Sequence, residues 1–141
     1  MSSLLIAMTL LAGCAAATPA PKDDTLLFSA VDGPGALRLV RESEFALRFA
    51  MDAAPAGLSE DCARSGTAMI TADPNMDPEI DVSPGGEAYA SRDFMFEDDS
   101  PCMLSLRVEL PPSRWLRLQE FRCEADDCTE RAEWFLRAPA R

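Results

Sequence analysis

The chain has 141 residues, a net charge of −11 at pH 7 and no histidine. That length is the ordinary content of one domain. The missing histidine excludes Ser-His and Cys-His nucleophile activation, imidazole metal ligation and the commonest general base. The charge excludes ordinary nucleic-acid binding, which rests on Lys and Arg neutralising phosphate. A cationic partner or a metal ion is the electrostatic fit instead.

The first element is an apolar run, Leu4 to Leu11, that ends in Leu11-Ala12-Gly13-Cys14. The run is shorter than the about 20 residues that span a bilayer and suits the apolar core of a secretory signal. Leu-Ala-Gly-Cys resembles the lipobox of bacterial lipoproteins, in which the cysteine is acylated and becomes the mature N-terminus. The resemblance implies that residues 1–13 are cleaved, that Cys14 is the lipidation site, and that two or more acyl chains tie the protein to a membrane. Met1-Ser2-Ser3 departs from the pattern in carrying no Lys or Arg. Ala15 after the cysteine, in place of Asp, resembles the default sorting of Gram-negative lipoproteins to the outer membrane, facing the periplasm. The use of 12 Arg against one Lys suggests a GC-rich genome and agrees with such a host. Residues 14–24 read as a tether. Pro19 and Pro21 keep it extended, and at about 3.1 Å per residue it reaches roughly 30 Å. The folded domain is expected over 25–141.

Beyond the tether, alternation dominates. Phe45, Leu47, Phe49 and Met51 alternate with Ala46, Arg48 and Ala50; Leu104, Leu106, Val108 and Leu110 alternate with Ser105, Arg107 and Glu109. Period two with one apolar side predicts half-buried antiparallel strands. Shorter runs at Leu26–Val31, Ala36–Arg41, Thr67–Ala72, Ala88–Phe96 and Arg114–Arg122 read likewise. Turn residues separate them at 32–35, 42–44, 83–86 and 111–113. Leu58–Arg64 is expected to form one helical turn carrying Cys62. Thr129–Ala138 allows two readings: Asp127 and Glu130 fit a capping box, whereas Ala132, Trp134 and Leu136 fit a strand, which is preferred. Trp115 and Trp134 are expected to pack in the core or at its rim. The predicted fold is all-β, a small antiparallel sandwich or barrel of seven or eight strands.

Four cysteines lie in this domain: Cys62, Cys102, Cys123 and Cys128. Export to an oxidising compartment makes disulfides the default. Cys123 and Cys128 bracket the polar turn Glu124-Ala125-Asp126-Asp127, so local pairing staples a turn and leaves Cys62–Cys102 as the long bridge. A Cys₄ zinc site would want two C-x₂₋₄-C pairs, and the sequence supplies only one close pair, Cys123 and Cys128, at the long end of that spacing.

The negative charge is concentrated. Residues 14–51 carry net −1, residues 52–100 net −10 and residues 101–141 net 0. Within the acidic segment, Asp73-Pro-Asn75-Met-Asp77 partly resembles the start of EF-hand-like loops, which would make Asp73, Asn75 and Asp77 ligands of a structural Ca²⁺. The resemblance stops at the sixth position, Pro78 in place of Gly, and at the twelfth, Pro84 in place of Glu. Asp93, Glu97, Asp98 and Asp99 are the expected contacts for a basic partner. Failing these, binding is expected on the Arg107–Arg122 face. Gly85-Gly86-Glu87-Ala88-Tyr89 resembles the Ser-Gly-x-x-Tyr loop of periplasmic lysozyme inhibitors, small β-barrel lipoproteins, with Gly85 at the serine position. No spacing marks a catalytic carboxylate pair, and no phosphate loop or dinucleotide fingerprint is present. The sequence therefore points to a non-enzymatic envelope lipoprotein, a binding, accessory or assembly factor working with an envelope complex. The alternative is an inhibitor or immunity protein that masks a cationic wall-degrading enzyme.

Overall fold

Every second strand residue turns to one side, and that side is the interior of a closed barrel. The computed structural model describes residues 25–98, 102–111, 114–124 and 127–138; among them there is no helix. The strands are β1 (Thr25–Ala30), β2 (Ala36–Arg41), β3 (Ala46–Ala53), β4 (Ser65–Ile70), β5 (Glu79–Val82), β6 (Ala88–Glu97), β7 (Cys102–Glu109), β8 (Trp115–Glu124) and β9 (Asp127–Arg137). All pairings are antiparallel. β1 to β4 and β5 to β9 each pair in sequence order as meanders, β9 returns to β1, and β4 meets β6 through Met69↔Met95 and Ile70↔Phe94. The result is an eight-stranded up-and-down barrel. The ninth strand, β5, pairs with β6 just beyond the β4 seam.

The interior is filled by the apolar half of each alternation. Phe28, Leu37, Leu39, Phe49, Leu104, Leu106, Leu116, Leu118 and Phe135 are each at most 2% exposed. Burial of side chains this size contributes about 1.5–3 kcal/mol apiece. Eight strands leave an interior that side chains can fill, or that holds one small ligand.

The expected all-β architecture is present, and so are both bridges, Cys62–Cys102 and Cys123–Cys128. Residues 127–137 form a strand, with Cys123 directly opposite Cys128 in the β8–β9 ladder. The barrel has eight strands, as expected, and among the described residues four residues of the acidic segment add a further strand on β6. One expectation needs correction. Residues 58–64 form no helical turn. Leu58 N–H donates to Pro55 and Cys62 N–H to Ser59, two separate tight turns. Gly57, at φ +112°, stands where a helical turn would have to start, and the loop's polar groups are engaged by the barrel instead. Glu120 accepts from Ser59 N–H, Arg131 donates to the Gly57 carbonyl at 2.6 Å, and Arg122 pairs with Asp61.

These contacts make the two barrel ends unlike. At one end the 54–64 loop folds over β8 and β9 and is tied to the start of β7 by Cys62–Cys102. The other end, where β1 begins and β7 finishes, opens on apolar side chains and carries β5 as a projecting lip.

Candidate functional site

β5 follows from its punctuation. Beyond Ile70 the chain leaves the barrel, and Asp73 closes a tight turn: its carboxylate accepts from Asn75 N–H at 2.9 Å and its carbonyl from Met76 N–H. Pro78 ends that turn in extended geometry. Glu79–Val82 then pairs with Ala88–Ser91. The connection back is tight: Gly86 takes φ +87°, which suits glycine, and the Ser83 hydroxyl accepts from Glu87 N–H. Among the described residues β5 pairs with β6 alone, so its other edge has no strand beside it.

Alternation within β5 separates two roles. Ile80 and Val82 are 69% and 52% exposed. Glu79 and Asp81 face the other way, onto two arginines of the barrel's outer surface. Arg107 of β7 lies opposite Asp93 of β6 on one side and Arg117 of β8 on the other. Its guanidinium grips Asp93 through two hydrogen bonds of 2.7 Å and reaches Glu79 at 2.9 Å. Asp81 Oδ2 lies 3.7 Å from Arg107 and 3.5 Å from Arg117, and it accepts the Tyr89 hydroxyl at 3.1 Å. The Arg117 guanidinium stands 5.5 Å from the Trp134 ring centre, and Trp134 meets Tyr89 and Trp115 edge to face.

The electrostatics follow from these contacts. The hydrogen bond to Asp93 holds the Arg107 guanidinium firmly protonated. Burial, and after it the Asp81 carboxylate, push the Tyr89 hydroxyl far up, so it remains a donor. At least six of the twelve acids in residues 52–100 are paired internally: Asp52, Asp61, Glu79, Asp81, Glu87 and Asp93. Five of these six meet arginines of β7, β8 or the turn between them; Asp52 meets Arg38. Half of the concentrated acids are thus paired from within.

The sequence candidates are distributed as follows. Asp93 is held by Arg107, whereas Glu97 and Asp98 are exposed where β6 ends; Asp99 lies outside the described residues. Asp73, Asn75 and Asp77 sit in the loop before β5, but the carbonyls of Pro74 and Met76 accept from Arg92. The cation facing that loop is a guanidinium. Among the described residues the group of acids and cysteines closest to metal-binding spacing is Cys62, Cys102 and Glu120, whose two sulfurs are bonded to each other. Tyr89 is 5% exposed and packs under Trp134, so the lysozyme-inhibitor-like stretch ends in a packing residue. Cys14 and the whole of residues 1–24 lie outside the described residues.

Sequence reasoning missed Ile80, Val82 and the root formed by Asp81 with Arg107 and Arg117. The available signal was the alternation Glu79-Ile80-Asp81-Val82, four residues long and preceded by two prolines. Comparison with family models, curated proteins and solved structures found no match to this chain.

Proposed function

We propose that the chain is an outer-membrane lipoprotein facing the periplasm and that it works by binding, not catalysis, as an accessory or assembly factor of the cell envelope. Its partner is an extended, basic segment of an envelope protein, added as a strand along β5. The observation that carries this reading is a short edge strand projecting from an otherwise closed barrel. Barrels abolish edges, and an unpaired edge is a template for strand addition. Exposed Ile80 and Val82 supply apolar contacts, and Met76 is also exposed, at 63%. Asp73 and Asp77, on the loop leading into β5, add negative charge to this part of the chain. The Asp81 root holds the strand rigid, which limits the ordering cost of binding. The anchor rests on Leu11-Ala12-Gly13-Cys14.

The test uses two synthetic peptides, one alternating Lys with Val and one alternating Glu with Val. The Lys peptide should bind, weaken as salt rises, and lose at least tenfold in affinity to the doubly substituted chain Asp77→Lys, Ile80→Lys. Equal binding of the Glu peptide, or no effect of the two substitutions, overturns the partner assignment. Palmitate labelling of the full chain and of Cys14→Ser tests the anchor separately; equal labelling overturns it.

A further inference from the structure

The open barrel end contains a cavity of about 200 Å³ lined by Leu26, Leu39, Leu47, Ile70, Phe94 and Val108. Inward-facing residues of six strands thus stop short of filling the barrel. An apolar cavity of ~150 Å³ already admits benzene, so this one has room for an apolar group of about six to eight carbons.

The rim adds a charge. Arg92 comes from the inner face of β6, opposite Val108, and borders the cavity. It is half-buried, and both of its hydrogen bonds go to neutral carbonyls, those of Pro74 and Met76. None of the ion pairs among the described residues includes it. A guanidinium beside an apolar cavity, satisfied only by dipoles, favours an anion near it. Arg41 stands across the rim and gives its Nε–H to the Ser43 carbonyl. Two acids also border the opening. Glu109 is turned to the backbone N–H groups of Arg114 and Trp115 and to the Arg114 guanidinium. Glu44 is exposed on the turn after Arg41.

We propose that this cavity binds one medium-chain carboxylate or similar anionic amphiphile, tail inward among the leucines and head at Arg92 and Arg41. This is a site distinct from the β5 edge, and it depends neither on that reading nor on the anchor.

Calorimetric titration of the full chain with sodium octanoate, 1-octanol and octylammonium tests it. Octanoate should bind saturably, at least tenfold more tightly than the other two. Its affinity should rise about fourfold per CH₂ from butanoate to octanoate and level off by dodecanoate, because roughly 0.8 kcal/mol per buried CH₂ is gained only while the tail is inside. The heat capacity change should be negative. Arg41→Gln should weaken octanoate severalfold and Glu44→Gln should tighten it. Leu26→Trp, which fills the mouth from the start of β1, should abolish binding while the circular dichroism of the barrel is retained. No saturable octanoate binding, octylammonium binding as tightly, affinity still rising fourfold per CH₂ at dodecanoate, or a folded Leu26→Trp chain that binds normally would each overturn the proposal.

Discussion

Arg107 and Arg117 stand directly opposite each other on β7 and β8, and both turn their guanidinium groups to one carboxylate oxygen of Asp81. Like charges opposite one another across a ladder destabilise it. Asp81, reaching over from a strand outside the barrel, removes that repulsion. The charge of β5 therefore stabilises the barrel wall at the same time as the wall fixes β5.

Asp81→Asn should accordingly cost about 3 kcal/mol, the order found when one partner of a largely buried pair is removed. Arg107 keeps Asp93 and Glu79, so most of the loss falls on Arg117, whose Nε is buried without a hydrogen-bond partner. Adding Arg117→Met to Asp81→Asn should recover part of the loss. Urea denaturation of the two single variants and the double variant measures the coupling. Strictly additive effects would show that the two residues act independently.

Tyr89 gives a pH dependence that can be followed by itself, since it is the chain's only tyrosine. Its hydroxyl is raised in the folded protein, first by burial and then by Asp81. For a raised phenol the unfolded chain loses its proton first, at about pH 10. The contribution to stability is therefore complete below that pH and declines as pH rises above it. Phenolate absorbance should stay low in the native protein at pH values where it is fully developed in urea. Tyr89→Phe should flatten this part of the alkaline stability curve. A native phenolate titrating near pH 10 would refute the buried Tyr89–Asp81 arrangement.

Gly66 on β4 faces the Phe96 ring, and a Cβ at this position would collide with it. Phe96 in turn meets Phe49 edge to face at 5.2 Å, so it has little freedom to retreat. Gly66→Ala should destabilise by about 1–3 kcal/mol through overpacking, and Phe96→Leu should relieve much of that in the double variant. Thermal melts of the three proteins decide it.

The two disulfides should differ in weight. Cys62–Cys102 closes a separation of 40 residues and Cys123–Cys128 one of 5. Replacing the first pair by alanines should cost about 3–4 kcal/mol in the chain-entropy model, and replacing the second about 2. Loss of the first should also raise hydrogen exchange in residues 55–64, while loss of the second should leave that loop protected.

The barrel strands were legible because alternation reports which face is buried, and Leu104–Leu110 shows it without interruption. Register and closure were not legible. The seam between β4 and β6 rests on two residue pairs, Met69↔Met95 and Ile70↔Phe94, and the excursion over residues 71–87 between these strands alternates over only four residues. β5 was hidden for the same reason, its four residues lying inside the acidic segment. Charge shows the limit most clearly. Net −10 over residues 52–100 implied an external cation, because sequence proximity could not reveal that Arg107, Arg114, Arg117 and Arg122 lie against those acids. Tyr89 was visible as a turn-flanking aromatic, but its partner Asp81 depends on the β5–β6 register.

The unlike ends of the barrel make it a cup, not a pipe. The 54–64 loop, riveted by Cys62–Cys102, forms the base, and the chain enters β1 at the brim. Anything held inside must leave by the opening through which it came, so filling and emptying are two directions of one step, and a partner seated on the β5 lip stands at the only doorway among the described residues.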